Sequence, residues 1–164
     1  MEIRELLLPE FDSEMKKVRA TLERVPETTL EYKPHEKSMP FGKLAAHLAR
    51  IPYLIVPIID LPELDFATAG IKPLVMESSD QLVKAFDDFA EQARKALARG
   101  DDAHLLQPWK LLRQGSPIIE GTRYQVIRSM VLNHMIRHRA QLGVYLRLNN
   151  LAVPSVYGPS ADES

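Results

Sequence analysis

Two histidines, His134 and His138, sit four residues apart in the run VLNHMIRHRAQLGVYLRL. On a helix that spacing puts both rings on one face, one turn above the other. Two imidazoles so placed can share a metal ion through their ring nitrogens. They can equally be core residues that stack and find hydrogen-bond partners. On helix spacing alone the two readings carry equal weight.

A third histidine changes the balance. His47 lies in KLAAHLARIPYL, on a stripe made by Leu44, His47, Leu48, Ile51, Ile55 and Ile58. On the later helix Ile127, Val131, His134, His138, Gln141 and Tyr145 share a wheel face. Three histidines then occupy positions where periodicity asks for Leu or Ile, and a single site requires only that the two helices be neighbours. Three protein nitrogens with a further position left for water or substrate describe a catalytic type of metal site rather than a closed structural one. Gln141 and Tyr145 would orient water or substrate there, or serve packing and support of the ligands. His35, in a polar loop marked by Pro34, and His104, in DDAHLLQPW, are weaker candidates.

Other chemistries fall away. Met135 stands where a zinc protease helix carries its glutamate, so no general base for peptide hydrolysis is supplied. Paired Glu-x-x-His motifs of a di-iron bundle are missing, as are a phosphate-cradling glycine loop and a nucleophile elbow. The chain has no cysteine, which excludes disulfides, thiolate ligands and a cysteine nucleophile. Three neutral imidazoles would leave a divalent ion its full charge, favouring an anion at the open position and ionising a thiol there.

Four amphipathic segments must position these residues. The first runs from about residue 4 to 25, with Leu7, Phe11, Met15, Val18, Leu22 and Val25 on its stripe and Glu10, Glu14 and Lys17 off it. The second begins at an N-cap Ser38 with Pro40 in its first turn, and Pro52 and Pro57 should kink or interrupt it. Residues 60 to 77 read as a loop. The third segment runs from Ser78, paired with Gln81 in a capping box, to Gly100, with Leu82, Phe86, Phe89, Ala93 and Leu97 inward. Residues 101 to 121 hold Trp109 and the turn signal Gln114-Gly115-Ser116-Pro117, which allows a short hairpin. Thr122 and Gln125 open the fourth helix, which runs to Asn149 or Asn150, where asparagine can take the left-handed cap. Four helices and little strand pattern predict an all-α four-helix bundle, a single domain over residues 1–164.

With 21 basic and 22 acidic residues interspersed, the net charge of −1 gives no footprint for nucleic acid or an anionic membrane. The start MEIRELLLPEF is not a signal peptide, and the apolar run IPYLIVPIIDLP is about half of what a bilayer needs, so a cytoplasmic location is expected.

The pieces KLAAHLARIPYL, NHMIRHRAQLGVYLRL and VPSVYGPSADE, with the spacing between them, resemble the DinB-like proteins over nearly the whole chain. The resemblance implies a bundle of the DinB/YfiT-like type in which one histidine of helix two and two of helix four bind a divalent metal. Those positions match His47, His134 and His138. Zinc or nickel is expected ahead of iron; imidazole suits all of these. The resemblance also implies a homodimer and relatives that are metal-dependent thiol transferases or a thiol-dependent isomerase. The expected function is transfer of a low-molecular-weight thiol to an electrophile, with a small-molecule thiol and an electrophilic acceptor as partners. The alternative is a non-catalytic metal or small-ligand binding protein of stress response.

Overall fold

The computed structural model describes residues 1–163. Helix α1 spans Ile3–Leu22, and its predicted stripe of Leu7, Phe11, Met15, Val18 and Leu22 is buried. It starts in a reciprocal cap between Glu2 and Glu5 and stops a few residues before Pro26. Glu14, off the stripe, is buried all the same, at 4% exposure.

Helix α2, Phe41–Arg50, starts later than the Ser38 expectation. Its first amides are satisfied by backbone instead: Phe41 N–H donates to Tyr32 O and Gly42 N–H to Leu30 O, each at 2.9 Å. Gly42 permits that approach, because a Cβ there would lie 3.1 Å from the Leu30 Cβ. The predicted interruption falls at Pro52, where the chain tightens into a 3₁₀ turn, Ile51–Leu54, before α3, Ile55–Asp60. The continuous helical run Phe41–Asp60 is therefore long and apolar enough to cross a membrane, contrary to the reading of its apolar core as half that length. With 67% of its most apolar window buried, it serves as a core element.

Helix α4, Ser79–Arg99, is capped by Ser78, whose Oγ accepts from Gln81 N–H at 3.1 Å. The glutamine side chain accepts from Glu77 N–H rather than completing the box on Ser78. Phe89 is only half-buried and lies against Tyr53, with ring centroids 5.5 Å apart. Helices α1 and α2 each pack on α4 and on a final helix, α7, His134–Leu148. Asn150, with φ of 57°, supplies the left-handed residue after it.

The all-α four-helix-bundle expectation is corrected: the fold is mixed, 56% helix and 10% strand, with a three-stranded sheet. Strands β1 (Glu63–Asp65), β2 (Pro108–Arg113) and β3 (Ser116–Thr122) lie in that order, β1 parallel to β2 and β2 antiparallel to β3. Trp109 and Leu111 alternate inward along β2 while Lys110 stays in water, a two-residue period cut short by its length. Gln114 and Gly115 both have positive φ (52° and 77°), as a two-residue primed hairpin turn requires. Their N–H groups donate to the Asp65 carboxylate at 3.1 and 2.7 Å, which ties the hairpin to β1. The short α5, Asp102–Leu105, precedes the hairpin, and α6, Arg123–Val126, follows it inside the predicted Thr122–Gln125 capping box. A π-helical stretch, Ile127–Asn133, joins α6 to α7.

Candidate metal centre

The packing of α2 on α7 brings His47, His134 and His138 together. The His134 and His138 Nε2 atoms are 2.8 Å apart, and His47 Nε2 is 3.4 Å from His134 Nε2. One nitrogen from each ring lies within 4.8 Å of the others, close enough for the three to hold one metal ion. Bonds from imidazole to zinc of about 2.0–2.1 Å put two nitrogens on one ion roughly 3 Å apart, so two edges of this triangle match such an ion.

Protonation sharpens the fit. The Nδ1 of His138 faces the Gln141 Oε1 at 2.7 Å, and that of His134 faces the Met130 carbonyl at 3.3 Å. Both partners are acceptors, so each Nδ1 carries the proton and each Nε2 presents a lone pair. Two lone pairs 2.8 Å apart repel, since neither neutral ring has a proton left to bridge them. A cation between them removes that repulsion, and the outer contacts are those that orient metal-binding imidazoles.

Burial is the leading cause that lowers all three pKa values. For His47 burial, then the His138 and His134 rings and the Arg50 guanidinium push it down to about 4. This holds although His47, seen from outside, is the exposed member of the trio, because its ring edge turns toward the other two rings. For His134 burial and the charge of His138 and Arg137 outweigh the bond to Met130. For His138 burial and Arg137 outweigh the bond to Gln141. All three are driven toward the neutral, metal-ligating form. The expectation of three inward rings holds for His138, which is buried; His134 is half-buried and His47 is exposed at a cleft.

The remaining sequence candidates separate. Tyr145 is buried and donates to the Met39 carbonyl at 3.0 Å, between the rings of Tyr32 and Phe41. It is a packing residue. His104 contacts the Ile59 carbonyl at 2.8 Å, and His35 accepts from Lys37 N–H in its own loop; neither joins the trio. Sequence reasoning missed the Met130 carbonyl, which no side-chain pattern announces, and Arg50, one turn past His47 on α2.

A helical body flanked by a small sheet, with three convergent histidines between two of its helices, defines a candidate mononuclear metal protein. The sequence profile of the DinB family matches residues 2–164, and the chain belongs to that family. No curated protein sequence matches it. Among solved structures it is similar to a DinB-like protein from Bacillus cereus ATCC 10987, with a TM-score of 0.73 at 18% identity, over 95% of this chain and 98% of that one. It is also similar to the DinB-like protein YjoA from Bacillus subtilis, with a TM-score of 0.71 at 18% identity, over 93% and 99% of the two chains. At these identities the likeness is one of fold.

Proposed function

We propose that His47, His134 and His138 hold a divalent metal ion, zinc or nickel ahead of iron, and that the protein is a metal-dependent enzyme transferring a low-molecular-weight thiol to an electrophile. The observation that carries the metal reading is the pair of Nδ1–H groups fixed on Met130 O and Gln141 Oε1, which turns two Nε2 lone pairs onto one point. A divalent ion held by three neutral ligands supplies undiminished positive charge, which lowers the pKa of a bound thiol toward neutrality. The chain's own part is positional. Gln141 and the Met130 carbonyl fix the rings, and the cleft at His47 admits small molecules. Arg50 and Arg137 add positive charge that favours an anionic sulfur over a neutral one. In the transfer the sulfur forms its bond to the electrophilic carbon, its proton having left to water, and the leaving group departs with the bonding pair.

Two measurements test this. Elemental analysis of protein purified under metal-replete conditions should give close to one ion per chain, and an H134A/H138A variant should retain almost none. Equal, trace metal in both sinks the site. Thiol consumption in the presence of electrophilic acceptors, followed in the metal-loaded wild type, tests the reaction. Metal binding without turnover of any biological thiol would leave the second reading, a metal or small-ligand binding protein, in its place.

A further inference from the structure

The cleft beside His47 has a second wall. It is lined by His47, Arg50, Tyr53, Leu54, Phe66 and Ile71, with a volume of about 110 Å³. Tyr53 is held against Phe89 of α4, and Phe66 and Ile71 come from the chain after β1, so the cleft is built from two separate segments.

Arg50 is the unusual member. Its side chain is half-buried, and desolvation lowers its pKa with no carboxylate acting to restore it. Its Nη1 donates to the Lys72 carbonyl at 2.6 Å, which pins the guanidinium to the loop over the cleft. A guanidinium has five N–H donors, and among the described residues no carboxylate lies within salt-bridge distance of this one. A half-desolvated, immobilised cation without a counter-ion is costly, and a ligand that brings an anion relieves it. Arg50 thus gives the cleft a positive charge in a chain whose net charge is −1.

We propose that this cleft is the substrate subsite of the histidine centre. Arg50 grips the carboxylate of a small substrate, and Tyr53, Leu54, Phe66 and Ile71 enclose its apolar body. This assignment rests on the reading of the histidines as a metal site, and it names the class of molecule that reaches that site: a short carboxylic acid. A cavity of about 150 Å³ suffices for benzene, so the enclosed body here is a branched chain of a few carbons rather than a fused ring system. Arg50 is a binding residue in this scheme, one helical turn from His47, the one of the three histidines that lines the cleft.

The test uses isovalerate as the probe and isovaleramide, its uncharged counterpart, as the control, read by NMR on the methyl groups of Leu54 and Ile71. Because a carboxylate also binds a metal directly, the decisive sample is metal-free protein. Isovalerate should shift both signals saturably and isovaleramide should not. Arg50→Met should weaken isovalerate roughly tenfold or more, and Arg50→Lys should weaken it less, since charge survives while the paired donors do not. The methyl spectra themselves report whether each variant is folded. Equal responses to acid and amide, or an unchanged affinity in folded Arg50→Met, would overturn the subsite. So would shifts confined to the far side of α7, near Arg139 and Arg147. Zinc stoichiometry of the same wild-type preparation is read separately. Arg50-dependent isovalerate binding in a protein that takes up no zinc, nickel or iron would refute the metal reading and keep the carboxylate cleft.

Discussion

Glu14 on α1 and Arg139 on α7 form an ion pair of 2.6 Å in which the two side chains are 6% and 4% exposed. Arg139 directly follows His138, so this contact fixes the helix that carries two of the three histidines against the opposite side of the core. Glu14 also accepts from Lys17 at 2.7 Å and from the Tyr157 hydroxyl at 2.9 Å, which fastens the C-terminal tail to the same point. Removing one partner of such a pair strands a charge out of water. Because Lys17 still pairs Glu14 when Arg139 is lost, the stranding change is Glu14→Leu, which leaves Arg139 without a carboxylate and is expected to lower the unfolding free energy by about 3–5 kcal/mol in a denaturant titration. The double variant Glu14→Leu with Arg139→Met should recover most of that loss, because the buried guanidinium is then gone and Lys17, the remaining partner of Glu14, is exposed enough to reach water. A single-variant cost under about 1 kcal/mol would mean that the pair behaves as a surface one.

The same carboxylate and the histidines both make the metal-free protein acid-sensitive, in different windows. Burial acts to raise the Glu14 pKa, but the bonds from Lys17, Arg139 and Tyr157 outweigh it and hold the group below its usual 4.5. The unfolded chain therefore takes up that proton first, and the stabilisation present above about pH 4.5 is lost as pH falls through the lower folded value. The histidine pKa values are also lowered on folding, His47 from 6.5 to about 4, so protonation again favours the unfolded chain. Their share of stability is complete above pH 6.5 and drains away as pH falls toward 4. Urea unfolding across pH 7 to 3 should show a decline beginning near 6.5 that His47→Asn reduces, and a further decline below 4.5 that Glu14→Gln reduces, the rest belonging to Asp65 and Asp162, whose pKa values are also lowered. A flat profile between pH 7 and 5 in metal-free wild type would contradict the first half.

The three histidines and the helices that carry them were legible in the sequence because their spacing is local. His134 and His138 need only one turn of helix between them, and His47 needs only its own stripe. The wheel drawn through Ile127, Val131, His134 and Tyr145 assumed one uniform period, however. The π-helical stretch Ile127–Asn133 winds with more than four residues per turn and breaks that period, and within regular α7 Gln141 is exposed between the buried His138 and Tyr145 that share its face. The hairpin of β2 and β3 was signalled by its turn residues, but the third strand of the sheet escaped for another reason. Strand β1 has three residues and pairs in parallel with β2 from more than forty residues away, a relationship no local period records. Glu14 escaped because its partners Arg139 and Tyr157 lie 125 and 143 residues along the chain.

Tyr145 tests the distinction between packing and site. Its hydroxyl is spent on the Met39 carbonyl, away from the histidines. Tyr145→Phe should therefore cost about 1 kcal/mol of stability by thermal or urea unfolding and leave zinc affinity within a factor of about two. A large fall in metal affinity with stability intact would return Tyr145 to the site.

Gln141 should behave in the opposite way. It is exposed, so its removal leaves no cavity, and the one bond lost is that to the His138 Nδ1; Gln141→Leu should lower the stability of the metal-free protein by no more than about 1 kcal/mol. Its Oε1 nevertheless sets the tautomer of His138 by accepting the Nδ1 proton at 2.7 Å. Without that acceptor the ring is free to rotate or to place its proton on Nε2, and either change withdraws a lone pair from the centre. Zinc affinity, measured by competition with a chromophoric chelator, should fall about 10–100-fold. Gln141→Glu supplies a charged acceptor at the same reach and should bind zinc at least as tightly as the wild type. The order Glu, Gln, Leu in falling affinity is what an orienting contact requires, whereas three equal affinities would show that the Gln141 bond to His138 has no part in the centre.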